Sequence, residues 1–124
     1  MINICVFGLG YVGLPLALSF SKKFNTVGFD INTKRIMKLK KKIDDNKEFL
    51  SKDFKNKKIL FSSKIDHIKK CNYYIICVPT PINQNKEPDL SALKKTFSVL
   101  NNIIKKNDTK IVESTVYPGV TNMF

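Results

Sequence analysis

Arginine is almost missing from this sequence. Of 22 basic residues only Arg35 is an arginine, so lysine carries nearly all of a net charge of +12. Lys, Asn and Ile dominate together, which is the bias an AT-rich coding sequence produces. Specific nucleic-acid readers lean on arginine, so this charge is weak support for a nucleic-acid-binding protein, and none is expected as a partner. Histidine is equally scarce: His67, the only one, sits among charged residues in a surface-like segment without a recognisable catalytic constellation, which argues against a general base or a metal ligand. No metal site is expected. The three cysteines, Cys5, Cys71 and Cys77, have no CxxC spacing, and two lie in apolar runs where a reduced thiol behaves as a small hydrophobe. That excludes a disulfide scaffold and suits a reducing, cytoplasmic setting. Cys77 reads as a buried strand residue rather than a nucleophile. Internal repeats, low-complexity tracts and domain linkers are absent as well.

Charge is also lacking from the first 21 residues, where a membrane anchor is the rival reading. A basic leader is missing there too, and Gly8, Gly10 and Gly13 interrupt the apolar run, so no membrane segment is expected. With 124 residues, 43% hydrophobic and 26% charged, the chain reads as one soluble domain spanning 1–124.

What is present is an alternation of strand-like and helix-like segments. Residues 2–7 form a short β-branched and apolar run that stops at Gly8, the pattern of a strand buried on both faces. Residues 12–23 suit a short buried helix closing on lysines. A second strand, 26–30, ends on Asp30, and the following segment sets Ile36, Leu39 and Ile43 at helical spacing. Residues 44–58 read as a polar connection, 58–61 as a weak third strand, 66–71 as a short helix, and 73–78 as a strong central strand ended by Pro79 and Pro81. Leu90, Leu93, Phe97, Leu100 and Ile104 predict a helix capped by Asp89, and 110–115 a last strand. This order predicts a Rossmann-type, doubly wound parallel α/β sheet in three α/β/α layers.

Gly8, Gly10 and Gly13 make G-x-G-x-x-G between the first strand and the first helix, the context that this otherwise weak pattern requires. The first glycine permits the tight turn, the second lets backbone approach a pyrophosphate, and the third lets helix and strand pack closely. The helix N-terminus then offers free N–H groups to the phosphates. Asp30, 17 residues after Gly13, can accept both hydroxyls of an adenosine ribose and repel a 2′-phosphate, which favours NAD over NADP. Arg35 complicates that preference, because an arginine near the acid can hold a 2′-phosphate; it reads as packing near the adenine or pairing with cofactor oxygens. In such a sheet ligands lie beyond the carboxyl ends of the strands. Thr80, in VPTP (78–81), and the cluster ESTVYPG (113–119) with Thr115 fall at that edge, with a stiffened strand exit and helix capping as their plainer readings.

The segments GLGYVGLPLA (8–17), GFDIN (28–32) with Arg35, VPTPI (78–82), PDL (88–90) and ESTVYPG together resemble the UDP-glucose/GDP-mannose dehydrogenase family over essentially the whole chain. The pairing of VPTPI with ESTVYPG is most similar to the UDP-N-acetylhexosamine 6-dehydrogenases of surface-polysaccharide synthesis. The resemblance implies NAD-dependent oxidation of a sugar C6 alcohol to a carboxylate in two hydride transfers: a cysteine thiol traps the intermediate aldehyde, and the thioester left by the second transfer is hydrolysed. It implies cofactor contacts from Tyr11 and Val12 through the glycine turn, from Asp30 to the ribose, with Arg35 alongside, and from Thr80 and Thr115 at the nicotinamide end. Thr115 would have a supporting catalytic role near the reacting carbon.

Full family members continue into a central dimerisation segment and a sugar-binding domain that carries the nucleophilic cysteine. None of the present cysteines matches that thiol. The chain is therefore expected to be the NAD-binding domain alone, truncated before the substrate domain and inactive by itself, while the full enzyme is a homo-oligomer acting on a nucleotide sugar. A stand-alone dinucleotide-binding or regulatory module and a basic nucleic-acid-binding protein are the alternatives; the latter would lose affinity steeply with salt and ignore NAD.

Overall fold

A computed structural model describes residues 1–54, 58–78, 84 and 89–112. Five strands, β1 (Asn3–Phe7), β2 (Asn25–Phe29), β3 (Ile59–Ser62), β4 (Tyr73–Ile76) and β5 (Thr109–Val112), form one sheet in the order β3-β2-β1-β4-β5. Every pairing is parallel. Between them run the helices α1 (Gly13–Phe20), α2 (Thr33–Lys40) and α3 (Ser91–Asn101), with single 3-10 turns at Ser51–Phe54 and Ile65–His67.

The central strands are apolar on both sides because both sides are covered. Along β1, Ile4 and Val6 join one core cluster with Leu14, Ala17 and Leu18 of α1 and Ile36 and Leu39 of α2. Cys5 and Phe7 point the other way, into a second cluster with Tyr74, Ile76 and the Leu93, Phe97 and Leu100 stripe of α3. This period-two split of one apolar run creates the three α/β/α layers that the sequence predicts. All three cysteines are buried, Cys5 and Cys77 within strand or strand-exit positions. Burial pushes the Cys5 thiol up, and the Tyr74 hydroxyl, which donates to the Ile68 carbonyl at 2.8 Å, is held above its usual range chiefly by burial.

Several boundaries differ from expectation. The second helix stops at Lys40 because Lys42 takes a left-handed conformation (φ 63°), so Ile43 lies beyond the helix and is exposed rather than on its apolar face. The third helix ends at Asn101, before Ile104. The N-cap of α3 is Leu90, which makes no side-chain cap bond; Asp89, expected as the cap, lies one residue earlier and its carboxylate accepts the Ser91 N–H at 3.0 Å in a turn that leads into the helix. Residues 113–115 of the last predicted strand lie outside the described residues.

The chain runs outward from β1 to β3 and then returns to the other side of β1, so the sheet reverses its order between β1 and β4. That reversal leaves a crevice above the carboxyl ends of these two strands, where the glycine turn begins.

Leu100 is fully buried where α3 meets the sheet. Leu100→Ala is expected to lower the unfolding free energy in urea by about 2–5 kcal/mol. A loss well under about 1 kcal/mol would contradict the packing of α3 on this face.

Candidate functional site

The site grows from the end of β1. Gly8 has φ +100°, a conformation that strains any residue with a side chain, and its N–H donates to the Phe29 carbonyl at 2.8 Å. The turn is thereby tied to the end of β2. Gly13 opens α1 directly over this turn: a Cβ there would lie 1.7 Å from the Gly8 carbonyl oxygen. The third glycine is therefore demanded by the contact between helix and strand.

Gly10 differs from both. A Cβ placed on it meets nothing within 4 Å among the described residues, and its φ is not in the left-handed region. Neither strain nor packing within these residues requires glycine here. The N–H groups of Gly10, Tyr11, Val12 and Gly13 have no hydrogen-bond partner among the described residues, and α1 has no side-chain cap at Val12. Tyr11 and Val12 are exposed at the mouth of the turn. Donors left open at a helix start, beside a backbone with no side chain, form a place for an anion.

Asp30 follows β2 and is half-buried. Its Oδ2 accepts the Leu9 N–H at 3.0 Å and its Oδ1 accepts the Asn32 N–H at 2.9 Å. Capping of α2 falls to Asn32, whose Oδ1 accepts the Arg35 N–H. Each Asp30 oxygen therefore keeps lone-pair capacity beyond one backbone bond, enough to accept two vicinal hydroxyls.

The structure places Arg35 in an unexpected way. It is 7% exposed; its Nε and Nη2 donate to the Leu9 carbonyl at 3.0 and 2.7 Å, and its Nη1 donates to Asp44 Oδ1 at 2.8 Å. Asp44, which the sequence leaves in a polar connection, has a fully buried carboxylate. It accepts from the backbone N–H groups of Asn46, Glu48 and Phe49 as well as from Arg35. Burial alone would raise its pKa; the Arg35 bond and the three backbone donors outweigh that and hold it below the usual carboxylate value.

A cavity of about 690 Å³ lies over the switch point, lined by Gly8 and Gly10 of the turn, Asp30, Ile31 and Arg35 on the β2 side, and Val99 of α3. That volume lies within the range of small-molecule sites. Among the expected site residues, Gly8, Gly10, Asp30 and Arg35 thus meet at one cavity; Tyr11 and Val12 are exposed on the turn but do not line that cavity, and Gly13 packs against the Gly8 carbonyl. Thr80 and Thr115 lie outside the described residues. His67 has a partner that the sequence reading missed: its Nδ1 bonds the buried Ser62 hydroxyl, which also accepts the Lys64 N–H, tying the 3-10 turn to the end of β3. No group of His, Cys, Asp and Glu able to hold a metal exists among the described residues. No helix there is long and apolar enough to cross a membrane.

A family model described as the UDP-glucose/GDP-mannose dehydrogenase family, NAD binding domain, matches residues 2–124. The chain is 48% identical over 121 residues to a UDP-N-acetyl-D-glucosamine 6-dehydrogenase of Salmonella typhi, covering 97% of the chain and 28% of that relative. It is 46% identical to the enzyme of the same name from Pseudomonas aeruginosa, covering 97% of the chain and 29% of that relative. A UDP-D-ManNAc dehydrogenase structure from Pyrococcus horikoshii superposes with a TM-score of 0.91 at 30% identity, covering 98% of the chain and 30% of the other. The chain thus spans less than a third of the length of these relatives.

Two outcomes separate the roles within the site. Gly13→Ala is expected to cost at least about 3 kcal/mol in chemical denaturation, since the clash is with backbone, while Gly10→Ala stays within about 0.5 kcal/mol of the unmodified chain. Equal effects would contradict the division between a packing glycine and an open one. For Asp44, a lowered folded-state pKa means stability that is present above the unfolded carboxylate value of about 3.9 and lost as pH falls through the folded one. Asp44→Asn is expected to cost about 3 kcal/mol near neutral pH, with the deficit shrinking below about pH 4 in urea titrations. A deficit independent of pH would contradict a charged Asp44.

Proposed function

The chain belongs to the UDP-glucose/GDP-mannose dehydrogenase family, as its NAD-binding domain, and from that premise we propose that it serves the oxidation of a UDP-N-acetylhexosamine at C6, from alcohol to carboxylate, for polysaccharide synthesis. Its close relatives carry the name UDP-N-acetyl-D-glucosamine 6-dehydrogenase, which is the support for the sugar class. The observation that carries the cofactor role is Gly10: it lines the cavity, a Cβ placed on it meets nothing within 4 Å among the described residues, and the neighbouring N–H groups have no partners among those residues. A dinucleotide backbone is the group that uses such a vacancy.

The geometry of the turn and the family resemblance together support a division of labour. The N–H groups of residues 10–13 and the partial positive charge of the α1 N-terminus receive the pyrophosphate. Asp30, held in place by Leu9 and Asn32, accepts the two adenosine ribose hydroxyls, and its charge opposes a 2′-phosphate. Arg35 borders the same cavity and acts from the side of the turn. The family resemblance gives Thr80 and Thr115 the nicotinamide end, with Thr115 in a supporting role near the reacting carbon. Bound there, NAD supplies a hydride acceptor, taken up twice for each sugar carried from alcohol to acid. The sugar nucleotide and the thiol that traps the aldehyde belong, in this reading, to other parts of the enzyme, which works as a homo-oligomer. Three buried thiols fit a reducing cytoplasm.

Calorimetric titration tests the cofactor assignment. The chain is expected to bind NAD and to prefer it to NADP, Gly10→Ala is expected to lose NAD affinity by at least about tenfold, and Asp30→Ala to narrow the preference. Equal binding of the two cofactors by the unmodified chain, or an unchanged preference without Asp30, would overturn the ribose assignment.

A further inference from the structure

Leu9 occupies the variable position between the first two glycines of the turn, and both of its backbone polar groups are held by side chains from elsewhere. Its N–H goes to Asp30, while its carbonyl takes two bonds from the Arg35 guanidinium. The Leu9 carbonyl and the Gly10 N–H belong to one planar trans peptide and point in opposite directions. Whatever fixes the carbonyl therefore also fixes the direction of the Gly10 N–H.

Arg35 can hold that carbonyl only while its own position is set, and Asp44 sets it through the Nη1 bond. Asp44 is in turn fixed by three backbone donors from residues 46–49, so the anchor is rigid at its far end. Its negative charge also balances a guanidinium that borders the same cavity as Asp30. Without that balance, an uncompensated cation would lie beside the ribose acid, the arrangement that accommodates a 2′-phosphate.

We infer that Asp44 is a positioning residue of the dinucleotide site: through Arg35 it fixes the Leu9–Gly10 peptide and withholds the guanidinium charge from a 2′-phosphate. Asp44 touches no cofactor in this account, and both effects pass through one side chain. The inference rests on the NAD-binding reading of the cavity.

The test is titration of the unmodified chain, Asp44→Asn and Asp45→Asn with NAD and with NADP, alongside urea unfolding of each. Asp45 pairs with Lys38 at the exposed surface, so its variant serves as a control for local charge. Asp44→Asn is expected to weaken NAD binding about tenfold and to reduce the NAD-over-NADP ratio by a similar factor, while Asp45→Asn changes neither. A purely structural loss would leave that ratio where it was, so an unchanged ratio in folded Asp44→Asn overturns the inference. Should Asp44→Asn fail to fold, the pair Asp44→Asn with Arg35→Gln removes both buried charges and answers the question. It is expected to bind NAD as Arg35→Gln alone does; a further loss would show that Asp44 does not act through Arg35. Absence of NAD binding by the unmodified chain would instead overturn the reading of the cavity, and the inference with it.

Discussion

The backbone of Leu9 is held from three directions, and the glycine turn depends on that. Its side chain is buried in the cluster under α1 and α2, its N–H is bound by Asp30 at the end of β2, and its carbonyl is bound by Arg35 of α2. A turn with glycines on both sides has large conformational freedom when unfolded, so its native shape must be imposed by neighbours. Here one residue gathers those restraints, and they come from the elements that border the cavity. The fold and the site are therefore not separable layers: weakening the turn loosens the contact between β1, β2 and α2 as well as the cradle.

The glycine pattern itself mixes distinct physical demands. Gly8 answers to backbone conformation, Gly13 to a helix lying against a strand exit, and Gly10 to neither among the described residues. Read as letters, the three are equivalent; read as geometry, Gly10 alone lines the cavity with no contact among the described residues that excludes a side chain. That contrast makes the cofactor reading stronger than the motif could.

Much of the architecture was legible because burial on both faces leaves a clear mark. The uninterrupted apolar runs of β1 and β4 and the spaced Leu93, Phe97 and Leu100 of α3 each follow from what they pack against. Helix ends were less legible: the lysine run at 40–42 offers no glycine or proline, and the left-handed turn at Lys42 comes from the path of the chain rather than from its own preference. That Asp30 lies beside the glycine turn is legible because its distance from the glycines is fixed by one strand–helix–strand unit. Asp44 was missed for the opposite reason. Its burial depends on residues 46–49 folding back to donate their N–H groups, and nothing in a polar, lysine-rich stretch marks one acid among several as the one enclosed.

The scarcity of arginine acquires meaning at this point. Lysine supplies charge almost everywhere in this chain, and at an exposed position the two cations are nearly interchangeable. At position 35 they are not. Holding one carbonyl through two donors while a third meets a carboxylate on another side requires a rigid, planar, multi-donor group, and an ammonium on a flexible stem offers neither the spread nor the fixed angle. A composition that avoids arginine elsewhere but keeps it where lysine geometry fails points to a constraint on shape rather than on charge. That constraint lies at the peptide preceding Gly10, so the lone arginine shapes the glycine turn that lines the proposed cofactor cavity.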